Sequence, residues 1–116
     1  WVIAEGAGGW LTPLAPELSL GDWVAGQGWP VLLVVELRLG CLNHALLSAE
    51  AIRRRTRLAG WVANVRNPGM DRLEANLDSL SARLGAPAWV QRQAPMAPVE
   101  VLAGLLAPLE GRAALN

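Results

Sequence analysis

Val31-Leu32-Leu33-Val34-Val35 is an unbroken aliphatic run, and the chain leaves it through Leu39-Gly40-Cys41-Leu42-Asn43-His44 into a stretch where Leu42, Leu46, Ala49 and Ile52 recur on one helical face. A strand of a parallel sheet, covered on both sides, is continuously apolar rather than alternating. The pair therefore predicts a buried parallel strand followed by a crossover helix over residues 42–55.

The pattern repeats outward from there. Leu58-Ala59-Gly60-Trp61-Val62-Ala63 predicts a second strand and Ala88-Trp89-Val90 a short last one. Between them Leu73, Leu77, Leu80 and Leu84 form a stripe at helical spacing, with Gly85 placed as a left-handed cap. A further helix is expected from Val99 until Pro108 interrupts it. Upstream, Trp1-Val2-Ile3-Ala4 predicts a strand and residues 20–25 a short helix. Pro13, Pro16, Gly26, Gly28 and Pro30 mark the loops around that helix. Strands alternating with helices imply βαβ units closing by right-handed crossovers, so the predicted fold is α/β, part of a doubly wound parallel sheet with helices on both faces.

Composition removes several classes of function. Ten arginines, with no lysine, balance ten acidic residues, so the net charge of +0 provides no field for a nucleic acid or an anionic membrane surface. The one cysteine, Cys41, lacks an internal disulfide partner and is too few for a zinc cluster. The apolar run 31–35 is far short of the ~20 residues a spanning helix needs, and no signal pattern leads the chain. A cytoplasmic location follows as the expectation. The length suits one domain burying roughly two thirds of its unfolded surface.

Ligands of doubly wound sheets sit off the carboxyl ends of the strands. The first such end is Glu5-Gly6-Ala7-Gly8-Gly9, a carboxylate running into a glycine-rich turn, which is how α/β enzymes commonly hold a metal ion against phosphate. A complete site of that kind also needs a phosphate-cradling loop with a lysine. That requirement, and a first residue that is Trp rather than Met, lead to the expectation that residues 1–116 are the C-terminal part of a single α/β domain whose phosphate-loop half lies upstream, inactive and poorly soluble by themselves. The second end, at Gly40, turns a strand into a helix start, where amides and the positive end of the macrodipole suit a carboxylate or phosphate.

Taken together, Glu5-Gly6-Ala7-Gly8-Gly9-Trp10-Leu11-Thr12-Pro13-Leu14, Asp22-Trp23-Val24, the run from Pro30 to Val35, Leu39 to His44, and Gly60-Trp61-Val62-Ala63-Asn64 closely resemble dethiobiotin synthetase over nearly the whole chain. The resemblance implies a sheet of the P-loop NTPase-like type and a homodimeric, magnesium- and ATP-dependent ligase acting on 7,8-diaminononanoate and carbon dioxide. One amine of the diamine is carbamated, the carbamate oxygen attacks the γ-phosphate of ATP, and the second amine expels phosphate from the mixed anhydride to close the ring. By the same resemblance Glu5 is a Mg2+ ligand and Gly6, Ala7, Gly8 and Gly9 line the phosphates and the carbamate. Gly40, Cys41, Leu42 and Asn43 bind the substrate carboxylate across the dimer, and Asn64 and Pro95 contact the nucleotide. The stretch Trp89 to Pro95 lacks the glycine expected before an Ile-Pro pair, a departure at the adenine end of the site.

Plainer readings stand beside these. Glu5 is also an ordinary strand-end carboxylate, Gly8 and Gly9 a tight turn, Asn43 a helix cap, and Cys41 a small buried residue. His44 suits hydrogen bonding better than catalysis. Arg53-Arg54-Arg55 ends a helix, where cations offset the dipole. Trp61 and Trp89 read as core, as does Trp1, whereas Trp10, Trp23 and Trp29 are freer to line a cleft. The alternatives for function are a related P-loop amidotransferase or ATPase domain with another acceptor, and a non-enzymatic dimerisation module.

Overall fold

The structure, a computed structural model, describes residues 2–92. The expectations for Trp1, Pro95 and the helix from Val99 lie outside them. The elements are β1 (Pro13–Ala15), β2 (Leu18–Ser19), α1 (Leu20–Gly26), β3 (Val31–Glu36), α2 (Cys41–Arg53), β4 (Leu58–Val65), α3 (Leu73–Leu84) and β5 (Trp89–Arg92). The α/β expectation holds: β3, β4 and β5 form a parallel sheet in that order, joined through α2 and α3.

Register follows from the apolar runs. Leu33 lies opposite Trp61 and Val35 opposite Ala63, while Ala63 lies opposite Val90. These side chains share a face and meet Cys41 and Ala45 of α2 and Leu73, Leu77 and Leu80 of α3 in one core. Trp61 is fully buried at its centre, and its indole Nε1 donates to the Gly85 carbonyl at 2.8 Å, so a large apolar ring enters the core with its polar atom satisfied. Gly85 has φ 88° and ψ 168°, a positive φ as expected of the residue closing α3 but outside the left-handed helical region, because the chain straightens there toward β5.

The two crossover helices touch each other as well as the sheet and therefore occupy the same face. With three strands in consecutive order, two crossovers of one hand must do so. Among the described residues no helix occupies the opposite face, where Val34 is 61% exposed. Trp89, expected in the core, belongs to that open face and is half-buried.

The chain before β3 departs further from expectation. Residues 2–4 are not a strand: Val2 is 92% and Ile3 67% exposed, and no strand among the described residues pairs with them. A strand without ladder partners or a covered face has nothing to hold it extended. The proline-marked loop closes instead as a small antiparallel hairpin, β1 with β2, turning at Pro16 and Glu17. Ser19 then starts α1 through a capping box: the Asp22 amide donates to Ser19 Oγ (3.2 Å), and the Ser19 amide (3.0 Å) and hydroxyl (2.5 Å) donate to Asp22 Oδ2. The α1 region is tied to the turn after α2 by an Arg55–Asp22 ion pair at 3.0 Å and by Thr56 Oγ1 donating to the Trp29 carbonyl at 2.9 Å.

Candidate functional site

Three groups of residues at loop and strand ends make up the candidate site. The first, Glu5 to Gly9, is an exposed loop held from behind. Gly8 and Gly9 have φ of 89° and 101°, and a Cβ on Gly8 would lie 2.6 Å from Thr12 Oγ1, so a bare backbone is required at this position by both conformation and space. Thr12 donates its amide to the Gly9 carbonyl, while the amides of Leu20 and Gly21 reach the carbonyls of Thr12 and Trp10. The glycine loop is thereby anchored to the start of α1, and the Trp10 ring lies against Gly21, where a side chain would collide with it. The buried Trp10 Nε1 has no hydrogen-bond partner among the described residues.

The second group is the start of α2. Leu37 follows β3, is buried, and donates its amide to the Asn64 carbonyl of β4. The chain then turns through exposed Arg38 and Leu39, and Gly40, at φ 88°, is the N-cap of α2 without a side-chain capping bond. Cys41 is the first helical residue, its thiol buried in the core and its amide bonded to the Arg38 carbonyl at 3.0 Å. Asn43 is thus inside the first turn and does not cap it. Amides of a first turn have no acceptors within the helix, so Leu42 and Asn43 bring N–H groups and the positive end of the dipole to this corner. His44 is exposed on the next turn position.

The third group lies where the strand ends were expected. Asn64 lies opposite Glu36 on β3 and opposite Gln91 on β5, so Glu36, Asn64 and Gln91 form a row across three adjacent strands at their carboxyl ends, on the open face. One step down the strands Val34, Val62 and Trp89 form an apolar row on the same face. Trp89 Nε1 donates to Gln91 Oε1 at 3.2 Å. The Asn64 side chain, half-buried, makes no hydrogen bond to another described residue. Period-two alternation along Trp89-Val90-Gln91, combined with the parallel register, puts Gln91 on the same face as Asn64.

The fold brings the second and third groups to one end of the sheet, joined by the Leu37–Asn64 hydrogen bond. Among the described residues no hydrogen bond or ion pair joins Glu5 to Gly9 with either of them. No cluster of three or more His, Cys, Asp or Glu side chains among the described residues could hold a metal ion. Glu5 by itself fits magnesium in the limited way usual for that ion, which takes one or two protein carboxylates and fills its remaining positions with phosphate oxygens and water. No helix among the described residues is long and apolar enough to cross a membrane.

Comparison with known proteins bears on these groups. A family model described as an AAA domain matches residues 1–105. The ATP-dependent dethiobiotin synthetase BioD of Pseudomonas paraeruginosa is 51% identical over 113 residues, covering 94% of this chain and 50% of the relative. The protein of the same name from Pseudomonas aeruginosa is 56% identical over 86 residues (73% of this chain, 38% of the relative), and that from Pseudescherichia vulneris 46% over 101 residues (82% and 42%). The chain spans about half the length, or less, of these curated relatives.

Proposed function

The chain belongs to the AAA domain family, and from that premise we propose that it forms part of an ATP-dependent dethiobiotin synthetase, a ligase that closes a ring on 7,8-diaminononanoate with carbon dioxide at the expense of ATP. The likeness to proteins of that name over 94% of the chain is the observation that carries the reading. The placement of Asn64 beside the start of α2 at one end of a parallel sheet supports it, since that is where such sheets take their ligands.

Each group then has a task. The bare backbone of Gly6 to Gly9 lets phosphate and carbamate oxygens approach, and Glu5 supplies one carboxylate to Mg2+. The bound ion neutralises charge on the phosphoryl oxygens during transfer. The corner Gly40-Cys41-Leu42-Asn43, with the open amides of Leu42 and Asn43, receives the distal carboxylate of the diamine bound mainly to a second copy of the chain, which makes the working protein a homodimer. Cys41 shapes this corner rather than reacting in it, its thiol committed to the core and its amide holding the Arg38 carbonyl. Asn64 contacts the adenine, and Pro95 contributes along the nucleotide's edge.

The test uses the protein expressed from its whole reading frame. It should form dethiobiotin from diamine, bicarbonate and magnesium ATP, and Glu5→Gln should lower kcat by about 10²-fold, the usual effect of removing one group that stabilises transferring charge. No turnover of the diamine, or an unaffected Glu5→Gln variant, would refute the proposal.

A further inference from the structure

Gly21 is the one buried residue of α1, and no backbone conformation calls for a glycine there. Its φ is not positive, and alanine suits a helix better than glycine does. What excludes a side chain is the ring of Trp10: a Cβ on Gly21 would lie 2.6 Å from Cε2, 2.9 Å from Nε1 and 3.0 Å from Cδ2. Trp10 follows Gly9 directly in the chain. Taking Gly6 to Gly9 as the phosphate and carbamate loop of the reading above, we propose that Trp10 and Gly21 are its positioning residues. Their close contact sets where the loop backbone stands relative to the reacting groups.

The first turn of α1 is spent on the same stretch of chain. The first amides of a helix have no acceptors within it. Here those of Leu20 and Gly21 donate to the carbonyls of Thr12 (2.8 Å) and Trp10 (2.9 Å), and that of Asp22 donates to Ser19 Oγ. With these amides occupied, this helix start holds the protein's own chain rather than an anion. Gly6 approaches it as well, since a Cβ there would run into Leu20 Cδ2. The two contacts differ in stiffness. A leucine methyl turns aside with a change of rotamer, whereas the indole is a rigid plate whose own carbonyl is fastened to the Gly21 amide. The indole N–H is buried and makes no hydrogen bond among the described residues, so shape rather than a polar bond keeps the ring in place. A methyl on Gly21 therefore displaces Trp10, and Gly9 with it. A misplacement of about 1 Å, even one caused outside the site, can cost about 10²-fold in rate.

Steady-state kinetics of the protein from its whole reading frame, with diamine, bicarbonate and magnesium ATP, tests this. Rates are taken per site that binds magnesium ATP, counted by calorimetry, so that loss of folded protein does not enter. Gly21→Ala should lower kcat by about 10- to 100-fold and leave both KM values in place, as expected of a group that serves the transition state rather than binding. Trp10→Leu removes the ring without breaking a hydrogen bond among the described residues and should lower kcat less, again at constant KM. In the double variant the methyl no longer meets a ring, so kcat should recover by at least about 3-fold over Gly21→Ala alone, the coupling of residues in contact. Should Gly21→Ala yield no binding sites, Trp10→Leu, which adds no clash, decides by itself. An unchanged kcat in both single variants, or losses that simply multiply in the double, overturns the proposal. Glu5→Gln distinguishes the two levels: if it leaves kcat intact, the loop reading itself falls, whereas if it lowers kcat and neither Gly21→Ala nor Trp10→Leu does, only the positioning role falls.

Discussion

The two faces of the β3-β4-β5 sheet are made by alternate residues of the same three strands, yet they have been put to different uses. One face, with Leu33, Val35, Trp61, Ala63, Val65 and Val90, is closed by α2 and α3 into a dry core. The other, with Leu32, Val34, Val62 and Trp89, is apolar along its length and ends in the polar row Glu36, Asn64 and Gln91. A continuous aliphatic run such as Val31–Val35 is the mark of a strand covered on both sides, so the open face is built for burial as surely as the closed one. The buried core is concentrated on one side, and the polar row at the strand ends on the other.

Substitutions should separate the two faces clearly. Trp61→Ala empties the centre of the closed face and strands the Gly85 carbonyl, and should cost about 3–5 kcal/mol in denaturant unfolding. Leu80→Ala, on the buried side of α3, should cost about 2–5 kcal/mol by the same measure. On the open face Val34→Thr should change stability by less than about 0.5 kcal/mol and should reduce binding of a hydrophobic dye. A loss at Val34 comparable to that at Leu80 would show the open face to be covered, and the comparison would break.

The α1 capping box lies outside both faces and sharpens the contrast from the small end. Ser19→Ala should cost about 1 kcal/mol, as loss of an N-cap does. Asp22 is held below its ordinary value of 3.8, first by the Ser19 hydroxyl, then by the Ser19 amide and the Arg55 guanidinium. A depressed folded-state pKa adds stability that is present above the ordinary value and is lost as pH falls through the folded one. Asp22→Asn should therefore flatten the acid limb of the stability profile below pH 3.8, read from thermal midpoints across pH. Arg55→Ala should also have a small effect, about 0–1 kcal/mol, because its ion pair with Asp22 is partly exposed to solvent.

Legibility in the sequence followed the same division. β3, α2, β4 and α3 could be read because each satisfies its own period, and their boundaries moved by only a residue or two. Val2 to Ala4 could not, because a strand-like run becomes a strand only when something pairs with it, and pairing is a property of the rest of the sheet. Both helices falling on one face, and Trp89 turning away from the core, depend on strand order, which no local pattern encodes. Among the candidate site residues, Gly40 to Asn43, Asn64 and Gln91 stand where strand ends were expected, while the row that Glu36, Asn64 and Gln91 form became visible only through register. The capping box of α1 was present as Ser19 and Asp22 but was hidden in a segment read for its prolines.

One contact beside the amino ends of the strands has a practical use. Trp23 and Trp29 meet edge to face, with ring centroids 5.3 Å apart and planes at 88°. Indoles that close couple their electronic transitions, and the resulting circular-dichroism couplet vanishes when the rings separate. Because Trp29 is also gripped by Thr56, the couplet is an optical gauge of whether the α1 corner stays docked, readable in the same spectrum that follows the helices.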